Sequence, residues 1–290
     1  MRGIGSVLKR KVSIAIPASL VSDVPHLREK TLRIGMVGRA AAIFGVDEII
    51  VFSDLPNRNQ QFETQMIRTI LSYMETPQYL RKRLFKLIPE LKYVGILPPL
   101  RTPHHPLPNR VRDLVEGEYR EAVVVSRAEE GVLVDVGVER YALVKTRLPV
   151  DARVTVKLST QEGVLEGRLA NREEVESYWG YRVTGSNLAF GQLVKSRAFD
   201  LVVATSRHGQ PLVEASQQLS TRWRASRKVL VAFGAPARGL YDIVRQEDLE
   251  LDGLVDFVVN TLPRQEVETV RTEEAVCVAL ALLSLITAKG

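Results

Sequence analysis

Three segments in the last third of the chain combine small, kinked and polar residues, and each follows a short apolar run. They are residues 205–209 (Thr-Ser-Arg-His-Gly), 233–240 (Phe-Gly-Ala-Pro-Ala-Arg-Gly-Leu) and 260–265 (Asn-Thr-Leu-Pro-Arg-Gln). Gly234 lets the backbone approach a ligand closely, and Pro236 stiffens its loop. In open α/β sheets, ligands bind beyond the carboxyl ends of the strands. We therefore predict that the three segments together form one ligand site.

The spacing of these residues argues against two common ligands. No segment has the G-x-G-x-x-G pattern of dinucleotide-binding loops or the G-x-x-x-x-G-K pattern of phosphate loops. NAD and ATP are therefore not expected. Cys277 is the only cysteine, so the chain cannot form an internal disulfide or a cysteine-based zinc site. This favours a reducing, cytoplasmic environment, and we predict that no metal is bound.

The apolar runs that lead into these segments predict the strands that carry them. Residues 201–205, 229–233 and 257–260 are short and mostly apolar. Such runs are typical of parallel strands that are buried on both faces. The last third, residues 181–290, is therefore predicted to complete an α/β domain with a mostly parallel sheet.

The first third, residues 1–97, alternates short strands with helices, which is the pattern of βα units. The predicted elements are, in order, a strand over residues 12–16, a helix capped by Ser22 or Asp23 with Pro25 in its first turn, a strand over 46–52, helices over 60–74 and 78–87, and a strand over 93–97. This part is expected to form the beginning of the same α/β domain.

The middle of the chain, residues 98–180, has a different character. It opens with several prolines and shows no helical periodicity. Short alternating strands are predicted over residues 120–126, 131–136, 142–144, 153–158 and 164–169. This pattern predicts a small closed β-barrel of the OB type inserted into the α/β domain. Such barrels often bind single-stranded nucleic acid, but a spacer or orienting role is equally open here.

The last predicted helix is apolar nearly all round. Thr272 is its expected N-cap, and residues 275–286 are apolar except for Ser284. Twelve residues are well short of the roughly 20 that a membrane span needs, so no membrane association is predicted. Because one sheet face could not cover such a helix, we predict an obligate homodimer through it, with Leu280 and Leu283 in the interface.

Composition and charge suggest the kind of partner. The chain has 290 residues, 45% of them hydrophobic and 26% charged, with a net charge of +6. Residues 1–97 hold 15 basic and 8 acidic side chains, so the positive charge belongs to the first third. A polyanion such as RNA is a candidate partner. We predict that its contact is the cluster Arg81, Lys82, Arg83 and Lys86, although these cations could also form a plain solvated face.

Several motifs gain specificity when they are taken together. They are residues 39–52 (RAAAIFGVDEIIVF), the proline-rich entry to the barrel, residues 178–181 (Tyr-Trp-Gly-Tyr), 205–209, 233–236 with Gly239 and Leu240, and 260–265 continuing to 269–274. In this order they resemble the SPOUT (α/β-knot) RNA methyltransferases, in particular the archaeal and eukaryotic branch of uridine-N3 methyltransferases with an inserted barrel. The resemblance implies a C-terminal trefoil knot, S-adenosylmethionine bound in the knot loops, and a homodimer.

The resemblance also implies roles for individual residues. Arg207 would face cofactor and RNA together and stabilise the developing uridine anion, and Glu273 or Glu274 is a lesser candidate for a base. Glu266 stands where the family commonly has glycine. The residues implied to bind the cofactor are Thr205, Phe233, Gly234, Pro236, Gly239, Asn260, Thr261, Leu262, Gln265, Thr269, Arg271 and Thr272.

The sequence therefore predicts an S-adenosylmethionine-dependent methyltransferase that acts on a base in ribosomal RNA, with uridine N3 implied by the resemblance. Two alternatives remain open at this stage. One is a catalytically idle RNA-binding or ribosome-assembly factor that keeps the fold. The other is a small-molecule α/β enzyme, which would show no salt-dependent affinity for RNA.

Overall fold

The computed structural model describes residues 10–161, 163–196 and 199–288. Contacts divide these residues into two compact units. The sheet unit comprises the described residues of Met1–Ser72, Glu90–Pro98 and Tyr181–Gly290, and the barrel unit comprises Tyr73–Pro89 and Pro99–Gly180. The barrel unit therefore includes residues 73–89 in addition to most of the predicted insertion at 98–180.

The strands and helices follow one another in this order: β1 (Lys11–Pro17), α1 (Leu27–Ile43), β2 (Glu48–Ser53), α2 (Gln61–Glu75), α3 (Gln78–Leu84), β3 (Tyr119–Ala128), β4 (Gly131–Asp135), β5 (Ala142–Val144), β6 (Arg153–Gln161), β7 (Val164–Ala170), β8 (Arg182–Ala189), α4 (Phe190–Ser196), β9 (Leu201–Pro211), α5 (Leu212–Ala225), β10 (Lys228–Ala232), α6 (Leu240–Arg245), α7 (Leu251–Leu254), β11 (Phe257–Asn260) and α8 (Thr272–Thr287).

The sheet unit is built on six parallel strands in the order β11-β9-β10-β1-β2-β8. The consecutive residues Ile14, Ala15 and Ile16 of β1 are all fully buried. Because successive side chains of a strand point to opposite faces, both faces of the sheet are covered. The predicted parallel α/β architecture is therefore confirmed.

The strand predicted over residues 93–97 is wrong. Residues Val94–Ile96 form a single 3₁₀ turn, and the side chain of Leu97 packs against Gly35 of α1 so closely that a Cβ there would lie 2.4 Å from it. The place beside β2 is taken by β8, which we did not predict. As an edge strand, β8 is half-exposed and polar, so it lacks the apolar run that indicates a buried strand.

Helix α1 begins later than predicted. Its first residue is Leu27, its N-cap position is His26 without a side-chain cap, and Pro25 precedes the helix. Asp23 makes a different contact, because its carboxylate accepts a 2.6 Å hydrogen bond from Arg33. The cap signal at residues 22–23 thus belongs to a loop of successive turns after β1.

The barrel unit contains a closed five-stranded barrel in the order β3-β4-β5-β7-β6, in which β3 also pairs with β6. Each of the five predicted strands is present. Strand β5 pairs with β7 in parallel at Leu143 and Glu166, and the other pairs are antiparallel. Alternate residues such as Val124, Val134 and Val156 fill the interior, as the alternating pattern requires.

A buried charge cluster explains why residues 73–89 belong with the barrel. The Glu75 carboxylate accepts hydrogen bonds from Arg153 at 2.7 Å and Arg172 at 3.2 Å, and Arg153 also binds Glu121 at 2.6 Å. Burial opposes ionisation of Glu75, but Arg153 and His104 hold its pKa well below the usual range. The end of α2 is therefore fastened to β3 and β6 by paired charges.

Helix α8 packs against α1 and α5. Leu280 and Leu283 are 4% and 1% exposed, so they lie in the core of the sheet unit, and their predicted place in a subunit interface is wrong. The exposed face of the helix carries Cys277, Ala281 and Leu285 instead. No helix of the described residues is long and apolar enough to cross a membrane.

Candidate active site

The three predicted loop segments meet at one pocket of about 450 Å³ at the carboxyl edge of the sheet. Its walls come from residues 205–208 within β9, from the loops after β10 and β11, from α6 and from the start of α8. The lining residues are Thr205, Ser206, Arg207, His208, Gly234, Ala235, Pro236, Ala237, Arg238, Gly239, Tyr241, Asp242, Arg245, Asn260, Thr261, Leu262, Gln265, Glu268, Thr269, Val270, Thr272 and Ala275.

Residues 205–209 form a large bulge within β9. Ala204 pairs with Val258 of β11, and the next residue of β11, Val259, pairs with Gln210, so the five intervening residues leave the ladder. Gly209 is required where the bulge rejoins the strand, because a Cβ there would lie 2.7 Å from the carbonyl oxygen of Val258. The bulge carries Arg207 to the pocket.

The loop between β10 and α6 folds back on its own first glycine. A Cβ on Gly234 would lie 3.1 Å from the carbonyl oxygen of Arg238 and 3.1 Å from the Cα of Gly239. The Thr272 hydroxyl donates a 2.8 Å hydrogen bond to the carbonyl oxygen of Gly234. The prediction that Thr272 is the N-cap of α8 is wrong, because Arg271 holds that position and Thr272 is the first residue of the helix. The Thr272 side chain holds the loop instead.

The segment after β11 is held by its own side chains. Asn260 accepts a 2.9 Å hydrogen bond from the Leu262 amide, and its Nδ2 donates a 2.9 Å bond to the carbonyl oxygen of Arg207. Nε2 of Gln265 donates to the carbonyl oxygens of Val267 at 2.7 Å and Glu268 at 3.1 Å. Asn260 thus joins the bulge of β9 to the segment after β11.

The guanidinium of Arg207 lies at the mouth of this arrangement. Its Nη1 is 3.4 Å from the carbonyl oxygen of Glu268, and its Nε is 3.2 Å from Nε2 of His208. One partner is a backbone carbonyl and the other an imidazole nitrogen, so no carboxylate accepts these hydrogen bonds, and they orient the arginine without cancelling its charge. Arg207 can therefore stabilise a negative charge in the pocket.

The two glutamates considered as bases do not line the pocket. Glu273 is 2% exposed and faces α1, where its Oε1 lies 3.4 Å from Nε of Arg33. Burial raises the pKa of Glu273, and Arg33 opposes that rise. Glu274 accepts a 2.9 Å hydrogen bond from the backbone amide of Arg271 at the helix start. The carboxylates that line the pocket are those of Asp242 and Glu268.

Comparison with known proteins decides the family. Residues 11–283 match the model of a family described as "Putative RNA methyltransferase". The chain belongs to this family of RNA methyltransferases. The resemblance found in the sequence motifs is therefore confirmed, and the protein is an enzyme of the methyltransferase class.

Individual relatives of this methyltransferase cover almost all of it. Proteins named 28S rRNA (uridine-N(3))-methyltransferase from Mus musculus and Homo sapiens are 33% and 32% identical to it, over 94% of this chain and 75% and 77% of theirs. An uncharacterised protein of Halobacterium salinarum is 33% identical over 94% of this chain and 98% of its own. Among solved structures, an RNA 2′-O ribose methyltransferase aligns with a TM-score of 0.39 at 9% identity, covering 99% of this chain and 60% of that one.

Most of the residues predicted for the methyltransferase site line the pocket. Two do not: Phe233 is 1% exposed and lies in the core behind the loop, and Arg271 is exposed outside the pocket. The predicted residues that do line it are Arg207, Thr205, Gly234, Pro236, Gly239, Asn260, Thr261, Leu262, Gln265, Thr269 and Thr272.

Sequence reasoning missed one wall of the methyltransferase pocket. Tyr241, Asp242 and Arg245 project into it from α6, a helix of six residues. A signal was available, because Leu240, Ile243 and Val244 are buried and their spacing is helical. The intervening polar residues therefore had to face outward, on the side where the loop begins.

Proposed function

We propose that this methyltransferase uses S-adenosylmethionine to methylate N3 of a uridine in ribosomal RNA. The observation that carries the proposal is the convergence of the β9 bulge and the loops after β10 and β11 on one pocket. Its volume lies within the range of about 300–1,000 Å³ that small-molecule sites commonly have. The choice of uridine N3 and ribosomal RNA rests on the names of the mouse and human relatives.

The residues of the pocket fit this cofactor by the kind of donors they offer. Residues 234–237 and 260–262 form two walls of the pocket from different loops, and Thr205, Thr269 and Gln265 add polar residues to its lining. An adenosine could lie between these walls, and the backbone at Gly234 and Gly239 allows close approach. We further propose that the β9 bulge and the segment after β11 form a C-terminal trefoil knot.

Methyl transfer from this cofactor requires few protein groups. A bound sulfonium supplies an activated methyl group, so the chain must align the uridine and manage the proton on N3. Transfer of that proton to solvent leaves an anion on the uracil ring. Arg207, whose hydrogen bonds go to a backbone carbonyl and an imidazole nitrogen, would stabilise this anion. Asn260 fixes the backbone of Arg207.

The homodimer is also part of the proposal. Helices α1 and α8 pack together, and each carries outward apolar side chains: Leu32 and Met36 are 46% and 43% exposed, and Leu285 is 63% exposed. A second copy would cover this surface. Because Thr272 of α8 tethers the pocket loop, the interface would border the cofactor.

The order of the barrel strands supports the OB type, and the single cysteine supports a cytoplasmic location.

The proposal is tested by calorimetric titration with S-adenosylmethionine and by mass spectrometry of ribosomal RNA from cells that lack the protein. We expect saturable binding and the loss of one N3-methyluridine, which the purified protein restores in vitro. A folded protein that binds ribosomal RNA but neither the cofactor nor its demethylated product would instead be an idle RNA-binding factor.

Replacing Gly234 with valine is expected to abolish cofactor binding while the protein stays folded. The added side chain would meet the backbone of Arg238 and Gly239 and push the loop out of shape. Calorimetry with S-adenosylmethionine measures the loss. Gly253→Val is the matched control, because nothing lies within 4 Å of a Cβ at Gly253. Binding retained by the Gly234 variant would contradict the placement of the cofactor.

The predicted RNA contact needs a narrower test than reversal of all four charges. Arg81 donates hydrogen bonds to the carbonyl oxygens of Thr76 at 2.8 Å and Met74 at 3.0 Å, so it contributes to the fold of the barrel unit. Lys82 and Lys86 are exposed, and their double replacement by glutamate should weaken RNA binding. The slope of log affinity against log salt concentration is negative, and we expect its magnitude to decrease by about 1 to 2. Lys195→Glu, at an exposed position of α4, is the control; an unchanged slope in the double variant would exclude this contact.

A further inference from the structure

Arg238 lies in the pocket loop, but its guanidinium reaches back to the sheet. Its Nη2 lies 3.2 Å from Oδ2 of Asp54, and its Nη1 lies 3.3 Å from Oε1 of Gln246. The Arg238 side chain is 25% exposed, whereas that of Asp54 is fully buried. The ion pair therefore joins a loop at the rim of the pocket to a carboxylate inside the sheet unit.

Asp54 is held firmly by its other contacts. It directly follows β2, and its Oδ1 accepts hydrogen bonds from the Ser19 amide at 3.0 Å and from Nε2 of Gln60 at 2.9 Å. Its Oδ2 accepts a 2.6 Å bond from the Ser19 hydroxyl. These donors come from the loop after β1 and from the residue before α2. A buried carboxylate must be paired, and here Arg238 is its charged partner.

The pocket loop is fixed at two points by these contacts. At its start, the Thr272 hydroxyl binds the carbonyl oxygen of Gly234. The turn is then closed on itself, because Ala235 and Arg238 exchange backbone hydrogen bonds of 2.8 and 3.3 Å. At its end, Arg238 ties the turn to Asp54. The backbone between these points lines the pocket, so its shape is set before any ligand arrives.

We propose that Arg238 and Asp54 are positioning residues for the methyl donor, which hold the turn of residues 235–238 in the shape that receives S-adenosylmethionine. The inference rests on the proposed function. Neither residue touches the reacting atoms. Breaking the pair therefore releases the turn, and the cost of ordering it again appears in the affinity for the donor rather than in the methyl-transfer step.

Four variants test the pair by calorimetric titration with S-adenosylmethionine. Asp54→Asn keeps an oxygen for Ser19 and Gln60 but presents an amide to Arg238, and Arg238→Gln removes the guanidinium. We expect each to raise the Kd by about threefold to tenfold, with the double variant no weaker than the weaker single. Arg238→Lys should recover part of the loss, since it restores the charge beside Asp54. At saturating donor, kcat should change much less than the Kd.

Gln246→Ala is the matched control, because it removes the exposed partner of Arg238 and leaves the buried one. It should bind the donor like the wild type. Wild-type affinity in Asp54→Asn together with a loss in Arg238→Gln would overturn the inference, since Arg238 would then contact the donor itself. Additive losses, or a loss confined to RNA affinity, would overturn it as well.

Two further outcomes are distinguishable. If the wild type does not bind the donor, the proposed function fails and takes this inference with it, whereas normal wild-type binding with unaffected variants removes the inference alone. If Asp54→Asn does not fold, Arg238→Gln and Arg238→Lys decide the question, because they change a partly exposed side chain. Equal affinities in those two variants and the wild type would then overturn the pair's role.

Discussion

Replacing Arg207 with alanine is expected to lower kcat by about 100-fold to 1,000-fold, while the Kd for S-adenosylmethionine changes far less. Arg207 is exposed at the mouth of the pocket, and its two hydrogen bonds go to a backbone carbonyl and an imidazole nitrogen, not to a carboxylate. Its charge is therefore available to a uridine that is losing its N3 proton. The loss should appear in single-turnover methylation of ribosomal RNA.

Arg264→Ala is the matched control for this experiment. Arg264 belongs to the neighbouring loop, is exposed, and does not line the pocket. Its variant should methylate at a rate close to that of the wild type. Arg207→Lys should recover part of the rate, since it keeps a charge but not the fork of donors. A full rate in Arg207→Ala would remove Arg207 from the mechanism.

Leu283→Arg and Leu285→Arg are expected to have different consequences, the first for folding and the second for dimer formation. Leu283 is 1% exposed in the sheet unit, so Leu283→Arg would bury an unpaired charge and cost several kcal/mol of folding free energy, on the order of 3 to 5. Leu285 is 63% exposed, so Leu285→Arg should leave each subunit folded but give a monomer. Thermal unfolding measures the first effect, and light scattering measures the second.

Leu285→Arg also tests whether the dimer supports the site. Because Thr272 of α8 binds the pocket loop, loss of the partner should weaken S-adenosylmethionine binding in the monomeric Leu285→Arg. Met36→Arg, on the outward face of α1, should behave in the same way. A wild type that is already monomeric at micromolar concentration would contradict the dimer. Undiminished donor affinity in the monomeric variants would mean that the pocket is complete within one chain.

The parts of the fold that the sequence predicts well are those in which burial leaves a regular pattern. Strands buried on both faces, such as β10, appear as apolar runs, and the barrel strands appear as alternation. Elements without such a pattern are not predicted from the sequence. Strand β8 is half-exposed, and the apolar residues 93–97 pack on α1 without joining the sheet. In both cases tertiary packing overrides the local signal.

The site follows the same rule. Loop residues at strand ends could be found from their composition, and most of them line the pocket. What could not be found is which way each side chain turns. Thr272 gives its hydroxyl to the pocket loop instead of capping its helix, Glu273 faces α1, and Arg238 turns back to Asp54. These contacts join residues that are far apart in sequence, so no local pattern reports them.

The bulge in β9 also limits how this site can be redesigned or can diverge. Its two ends pair with consecutive residues of β11, so residues within it can be exchanged while its length is constrained by the ladder on both sides. An extra residue that the bulge did not absorb would slide Pro211 and the start of α5 by one position. Leu212, Ala215 and Leu219 would then rotate out of the core by about 100°. New specificity at Arg207 is therefore expected to arise by substitution, not by insertion.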